Sequence, residues 1–151
     1  MLIQLLGLGF AAMVASVAPD SVMEFDAALA PAPNVSTSLA SANGFAAVTV
    51  EGSTLQFDVA LVDLKHVIEV AVIDRGRAVP LYSGTDTRGT QVHLEGTLRG
   101  EQITDVPLDE LGQDMRAGTT QMVIFTLGEP GGALSGALIP GPTTASKAPI
   151  S

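Results

Sequence analysis

Residues 45–62 read FAAVTV-EGST-LQFDVALV, and this stretch decides the fold class. In its second half Leu55, Phe57, Val59 and Leu61 occupy every other position, so they fall on one face of an extended strand. The intervening residues 51–54 are turn-forming, which predicts a β-hairpin. One face of that hairpin is apolar, as expected for a strand that covers a core on one side only.

The same kind of pattern continues to residue 140, where short apolar or alternating runs are separated by glycine-containing turns. The predicted strands, besides the hairpin, are Val67–Ile73, Val92–Leu98, Met122–Leu127 and Ala133–Ile139. Val67–Ile73 is nearly all β-branched apart from Glu69, which predicts a central strand. Strands at this spacing, punctuated by turns such as Asn43-Gly44, Ser83-Gly84, Arg88-Gly89 and Gly131-Gly132, are typical of an all-β unit.

One short segment has helical character. Leu108, Leu111 and Met115 follow the 3.6-residue period loosely, starting just after Pro107. We expect Thr104 or Asp105 to cap the first turn, and Gly112 to limit the length of the helix.

The length of 151 residues suits one domain. We divide the chain into a hydrophobic leader at 1–18, a β-domain at 19–140 and a flexible Pro/Thr/Ser-rich tail at 141–151. The leader has the apolar middle and the small-residue exit of a secretory signal, but no basic start. A membrane anchor and a retained structural element are the two alternatives for it.

Composition excludes several classes of function. The chain has 16 acidic and 7 basic residues, a net charge of −9, and no Lys or Arg before Lys65, which excludes a sequence-independent nucleic-acid binder. The absence of cysteine excludes a disulfide scaffold, a thiolate zinc site and a cysteine nucleophile. No loop has the alternating Asp/Asn pattern of a calcium site.

Few residues suggest chemistry. The only histidines, His66 and His93, stand 27 residues apart, so we expect no metal site and a surface role for His93. Asp109 and Glu110 are consecutive, and on a helix they would point about 100° apart rather than toward one another. Asn34-Val35-Ser36 is an N-glycosylation sequon if a eukaryote secretes the protein. The sequence therefore predicts no catalytic, cofactor-binding or metal-binding residues.

The order of short sequence motifs from Phe25 to Leu138 resembles that of the chordin (CHRD) domain family. Each piece is short, and their order and spacing carry the resemblance. The matching pieces are Phe25-Asp26-Ala27-Ala28-Leu29, Leu55-Gln56-Phe57-Asp58-Val59, Val79–Tyr82, Leu94–Gly96, Leu108–Gly118 and the closing run from Met122 to Gly136.

The resemblance implies an extracellular or cell-envelope β-sandwich module, linked to growth-factor antagonism in animal chordin. This chain departs from the family at its histidine motifs. The family has a His-Ile-His motif where this chain has Glu69–Gly76, and that segment contains no histidine. The histidine of the closing motif is also absent, since Phe125 stands in its place. Ser135 replaces the arginine before the last glycine of that motif.

Together these observations predict an antiparallel β-sandwich, Ig-like or superoxide-dismutase-like with Greek-key connections, and one short helix. The predicted function is a secreted, periplasmic or cell-surface module that is not an enzyme, with no cofactor and with a structural or protein-binding role. The expected partner is another protein or a second copy, with no nucleic acid and with membrane contact only through residues 1–18. The alternatives are a divergent metal-binding or superoxide-dismutase-like enzyme and a membrane-tethered surface protein.

Overall fold

A computed structural model describes residues 22–84 and 91–141. The predicted leader, the turn at Arg88-Gly89 and nearly all of the predicted tail lie outside these ranges. The strands are β1 (Val22–Pro31), β2 (Asn43–Glu51), β3 (Thr54–Val62), β4 (Val67–Asp74), β5 (Arg77–Ser83), β6 (Gln91–Arg99), β7 (Thr120–Thr126), β8 (Leu134–Ala137) and β9 (Ile139–Pro140). Helix α1 spans Leu108–Ala117, and single 3-10 turns lie at Thr37–Leu39 and Gly100–Gln102.

All strand pairs are antiparallel, and the strands form one continuous sheet in the order β5-β4-β7-β8-β1-β2-β3-β6. The short strand β9 pairs with β1 beside this path. The two terminal strands of the order, β5 and β6, approach each other, so that the sheet is nearly barrel-shaped. The all-β, antiparallel class predicted from the sequence is thus confirmed, and the Greek-key sandwich connectivity stays a prediction.

The hairpin predicted from residues 45–62 is confirmed. Glu51 pairs with Thr54, which leaves Gly52 and Ser53 as a two-residue connection. Gly52 has φ +60°, the left-handed backbone that a type II′ hairpin turn needs at its first position. The buried positions of β3 alternate as predicted, with Leu55, Phe57, Val59 and Leu61 inside.

The predictions for the other strands are confirmed in part. β4 lies between β5 and β7, which makes it an internal strand, and β6 covers its predicted run. β7 begins earlier than predicted and ends at Thr126, so that Leu127 lies outside it and is exposed. The run Ala133–Ile139 is not one strand: β8 ends at Ala137, β9 begins at Ile139, and the fully buried Leu138 lies between them. The backbone N–H of Leu138 donates to the carbonyl of Thr120 on β7, which continues the β7–β8 ladder, and β9 after it pairs with β1. β5 was not predicted, because residues 77–83 begin with an arginine, end with a serine and contain a proline.

The helix is longer than predicted. α1 runs through Gly112 to Ala117 and ends at Gly118, which has φ +81° and donates its N–H to the last turn. Its N-cap is Pro107 with no side-chain cap, so the predicted capping by Thr104 or Asp105 is wrong. Gly112 does not limit the helix, because it is a contact position: a Cβ there would lie 2.6 Å from the Cε atom of Met23. Tertiary packing therefore outweighs the low helix propensity of glycine.

The core is aliphatic, as the composition indicates, with Phe25 and Phe57 as its buried aromatic residues. The helix places Leu108, Leu111 and Met115 in this core and contacts β1, β4 and β9. α1 therefore covers the end of the sheet at which the β2–β3 and β4–β5 hairpins turn. The opposite end carries the β1–β2, β3–β4 and β7–β8 loops. Within the described residues no helix is long and apolar enough to cross a membrane.

Candidate functional site

A groove of about 670 Å³ lies at the end of the sheet opposite the helix. We call it the loop-end groove. Three connections that are distant in sequence supply its walls: the β1–β2 loop, the β3–β4 loop and the β7–β8 loop. Its lining residues are Ser36, Ser38, Leu39, Ser41, Asp63, Leu64, Lys65, His66, Thr126, Gly128 and Glu129.

The backbone of the two loops that precede β2 and β4 adopts an unusual conformation. Asn34, Asp63 and His66 have φ values of 67°, 60° and 58°. Non-glycine residues adopt this left-handed region uncommonly, with Asn, Asp and His the types that tolerate it best. Such a conformation persists where surrounding contacts hold it in place, so these loops have a defined shape.

Hydrogen bonds between loops fix that shape. Glu129 Oε2 accepts a hydrogen bond from the backbone N–H of Ser36 at 3.0 Å, across 93 residues of sequence. The backbone N–H of Leu127 donates to the carbonyl of His66 at 3.0 Å. Within the β7–β8 loop, the hydroxyl of Thr126 accepts from the N–H of Glu129 at 3.0 Å. The β7–β8 loop is thereby bonded to both of the other walls.

The groove combines charged groups, hydroxyls and an apolar rim. Lys65 supplies a cation, while Asp63 and Glu129 supply anions. Leu127, between two lining residues, is 59% exposed, a large fraction for a leucine. The ring of His66 forms no hydrogen bond with a serine hydroxyl or with Asp63 within the described ranges, so the groove contains no hydrogen-bonded Ser-His pair of the kind that activates a nucleophile.

A second polar surface lies on the solvent side of β2, β3 and β6, which we call the outer face. The strand register decides which side chains are neighbours on this face. Asp58 pairs with Ala47 of β2 on one side and with Glu95 of β6 on the other, while Ala60 pairs with His93. The small residues leave a shallow groove of about 530 Å³ above Asp58 and Glu95. His93 Nε2 lies 2.6 Å from Asp58 Oδ1, diagonally across the two strands.

The hydrogen bond with Asp58 raises the pKa of His93, and the negative charges of Asp58 and Glu95 add to this effect. Both partners of the bond are more than half exposed, so solvent screens the pair. The structure confirms that His93 is a surface residue. It also brings together three titratable groups that lie far apart in the sequence, Asp58, His93 and Glu95.

A third cluster joins the helix to the β4–β5 hairpin. Arg77 Nη2 lies 3.0 Å from Glu110 Oε2 and 3.3 Å from Asp74 Oδ2, and Arg75 Nη2 lies 3.1 Å from Asp114 Oδ1. Asp74 is fully buried and Asp114 nearly so. One oxygen of each carboxylate, Asp74 Oδ1 and Asp114 Oδ2, has no hydrogen-bond partner within the described residues.

Burial raises the pKa of Asp74. Asp114 raises it further, because it can accept a hydrogen bond from the protonated form of Asp74 and repels the charged form, against the opposing effect of Arg77 and Arg75. The pKa of Arg77 is also raised, chiefly by its hydrogen bond to Glu110. This cluster lies under α1, and none of its residues lines the loop-end groove. We therefore interpret it as a structural link between the helix and the sheet.

The sequence-predicted candidates are dispersed over the molecule. His66 lines the loop-end groove, whereas His93 lies on the outer face, so the two histidines do not share a site. Asp109 and Glu110 make separate contacts, because Asp109 accepts from the N–H of Glu110 and Glu110 pairs with Arg77. Asn34 of the sequon is exposed in the β1–β2 loop.

Sequence reasoning missed two groupings, the loop-end groove and the Asp58–His93–Glu95 cluster. Both arise from elements that are not neighbours in sequence. The only signal available beforehand was that Asp58, His93 and Glu95 occupy outward-facing positions of their strands, which does not reveal that the strands are paired.

Comparison with protein families gives one match: the CHRD domain model matches residues 25–138 of this chain. The match covers the same span as the motif resemblance described above, and it confirms that resemblance. A comparison with curated proteins and with solved structures found no match. CHRD domains occur in extracellular or secreted proteins. Since the matched region comprises most of the chain and coincides with the β-sheet, the chain belongs to the CHRD domain family.

Proposed function

We propose that this chain is an extracellular, non-enzymatic binding domain that holds a segment of a partner protein in its loop-end groove. The observation that carries the proposal is the groove itself: about 670 Å³ of space walled by three loops that hydrogen bond to one another. Loops held by a rigid sheet are where recognition commonly resides in β-domains.

The chemistry of the groove favours a polypeptide partner. Its hydroxyls, its lysine and its two carboxylates offer donors and acceptors to a peptide backbone and to polar side chains. Leu127 beside it is 59% exposed and supplies an apolar contact for an anchor side chain. A protein interface of ordinary size covers about 800 Å² on each partner, so the contact would extend from the groove over the surrounding loops.

The location outside the cell is part of the proposal. Family membership supports it, and so does the apolar stretch at residues 1–18, which has the middle and exit of a secretory signal. The intact mass of the protein from its native host tests this point. A mass lacking the leader is expected, and a mass that still includes Met1 would contradict cleavage.

Selection of peptides on the immobilised domain tests the binding function. We expect phage-displayed peptides of about a dozen residues, selected on the wild-type domain, to lose binding to the double variant Lys65→Glu, Glu129→Lys, which exchanges the charges of the groove and removes the bond from Glu129 to Ser36. The matched control is Arg116→Glu, Glu101→Lys, an equal exchange at exposed residues toward the helix end. Peptides that bind all three proteins equally would show that the loop-end groove is not the binding site.

Self-association is the second form of partnership that the sequence predicted. Light scattering over a wide concentration range distinguishes the two forms. A monomer at all concentrations supports a different protein as partner, whereas a dimer that the groove variant Lys65→Glu, Glu129→Lys disrupts would make a second copy the occupant of the groove.

A further inference from the structure

Three metal-ligating side chains converge on the outer face of the sheet. Asp58 comes from β3, and His93 and Glu95 come from alternate positions of β6. One ligand atom from each side chain lies within 4.8 Å of the other two. We propose that Asp58, His93 and Glu95 form a surface binding site for a divalent transition-metal ion of the zinc type.

The arrangement of charge supports an ion at this place. Asp58 and Glu95 are directly opposite in the antiparallel register, and two like charges in that position destabilise a sheet. Neither carboxylate is paired with a lysine or an arginine in the part of the chain that the structure describes. A bound divalent cation would remove this repulsion, whereas His93 alone neutralises it only when protonated.

The geometry requires little rearrangement. Ligand atoms about 2.1 Å from a tetrahedral ion lie roughly 3.4 Å apart. Here the three ligand atoms lie within 4.8 Å of one another, so the distances that the ion needs fall inside the present spread. Asp58 and His93, now 2.6 Å apart, would have to separate by less than an ångström. Both side chains are more than half exposed and can rotate without moving the core. The groove of about 530 Å³ above Asp58 and Glu95 leaves a further coordination position open to water or to a side chain of another protein.

The donor set selects the class of ion. One imidazole nitrogen and two carboxylate oxygens suit zinc and its neighbours, which accept mixed nitrogen and oxygen ligands with low coordination numbers. Calcium takes six to eight oxygen ligands, more than this pair of carboxylates offers. The site lies on a different surface from the loop-end groove, so the inference goes beyond the proposed function and does not depend on it.

Calorimetric titration of the purified chain with Zn²⁺, in parallel with Ca²⁺ at the same concentrations, tests the proposal. We expect one Zn²⁺ per chain and weaker or no binding of Ca²⁺. His93→Ala and Asp58→Asn should each weaken Zn²⁺ binding by at least about tenfold, since each removes one of three protein ligands. The long-range imidazole ¹⁵N spectrum should show the resonances of His93, and not those of His66, shifting during the titration.

The chain offers matched controls. His66→Ala removes the other histidine, and Glu51→Gln removes an exposed carboxylate at the end of β2, so both should leave Zn²⁺ binding unchanged. Circular dichroism checks that every variant is folded. The proposal is overturned if the wild-type chain binds no Zn²⁺ with a defined stoichiometry, or if His66→Ala abolishes binding and His93→Ala does not.

Discussion

Arg77 on β5 and Glu110 on α1 are joined by an ion pair of 3.0 Å, and the same guanidinium group lies 3.3 Å from the buried carboxylate of Asp74. One side chain thus connects the helix that covers one end of the sheet to the hairpin beneath it. Because the loop-end groove lies at the opposite end, changes to this cluster are expected to alter stability without altering the binding surface.

Removing Arg77 should destabilise the protein more than removing its neighbour Arg75. Arg77→Gln leaves Asp74 and Asp114 as buried carboxylates with less compensation, so we expect a measurable loss of unfolding free energy, smaller than for a fully buried pair because Arg77 is 39% exposed. Arg75→Gln loses only a contact from a side chain that is 60% exposed and screened by solvent, so a smaller loss than that of Arg77→Gln is expected. Urea unfolding of both variants measures the difference, and equal losses would show that the Arg77 links contribute little.

Stability should fall as the pH rises through the pKa of Asp74. That pKa is raised above its ordinary value of 3.8, so between the two values the folded protein binds more protons than the unfolded chain. The contribution of Asp74 is therefore fully present below pH 3.8 and is lost as the pH rises through the folded-state pKa. Unfolding free energies of the wild type and of Asp74→Asn over a pH series measure this effect.

Asp74→Asn should lose less stability than the wild type over the same pH series, because an amide carries no charge and can donate to the unpaired oxygen of Asp114. Asp109→Asn, at an exposed position of the same helix, is the control and should follow the wild type. Parallel pH profiles for the wild type and Asp74→Asn would contradict a raised pKa at Asp74.

A methyl group at Gly136 should disrupt the seam between β8 and β1. A Cβ at this position would collide with the backbone carbonyl of Ala28, which no side-chain rotation can relieve. We expect Gly136→Ala to cost about 1–3 kcal/mol or more by overpacking. Gly128→Ala, with no atom within 4 Å of its added Cβ, should be nearly neutral in thermal unfolding. A neutral Gly136→Ala would mean that β8 is not packed against β1 in this register.

Removing the Glu129 carboxylate should loosen the loop-end groove without unfolding the domain. Glu129→Ala leaves the N–H of Ser36 without its partner, and that exposed bond contributes little to global stability. Amide hydrogen exchange of residues 34–41 is expected to increase, with exchange in β3 and β4 unchanged. Glu101→Ala, which loses only an exposed pair with Arg99, is the control. Unchanged exchange in the β1–β2 loop would show that Glu129 does not order it.

Local features of the fold could be predicted from the sequence, and non-local ones could not. The β2–β3 hairpin was predictable because its alternation and its turn lie within residues 45–62. The helix was underestimated because the packing of Met23 against Gly112 joins residues far apart in the chain. Likewise, the pairing of β3 with β6 brings Asp58 to His93 and Glu95, although two strands separate β3 from β6 in sequence. Registers between distant strands depend on the packing of the whole sheet.

The central claim is that the domain binds another protein through its loop-end groove, and site-specific photo-crosslinking in the native host tests it most directly. A photoreactive amino acid that replaces Ser38 would lie in the groove. One that replaces Gln113, which is exposed on α1 at the opposite end of the sheet, is the control. We predict a discrete crosslinked product from position 38, with the partner peptide identified by mass spectrometry, and its loss when Lys65→Glu is added. Crosslinks that form equally from position 113, or that form from position 38 regardless of Lys65, would contradict binding in the groove.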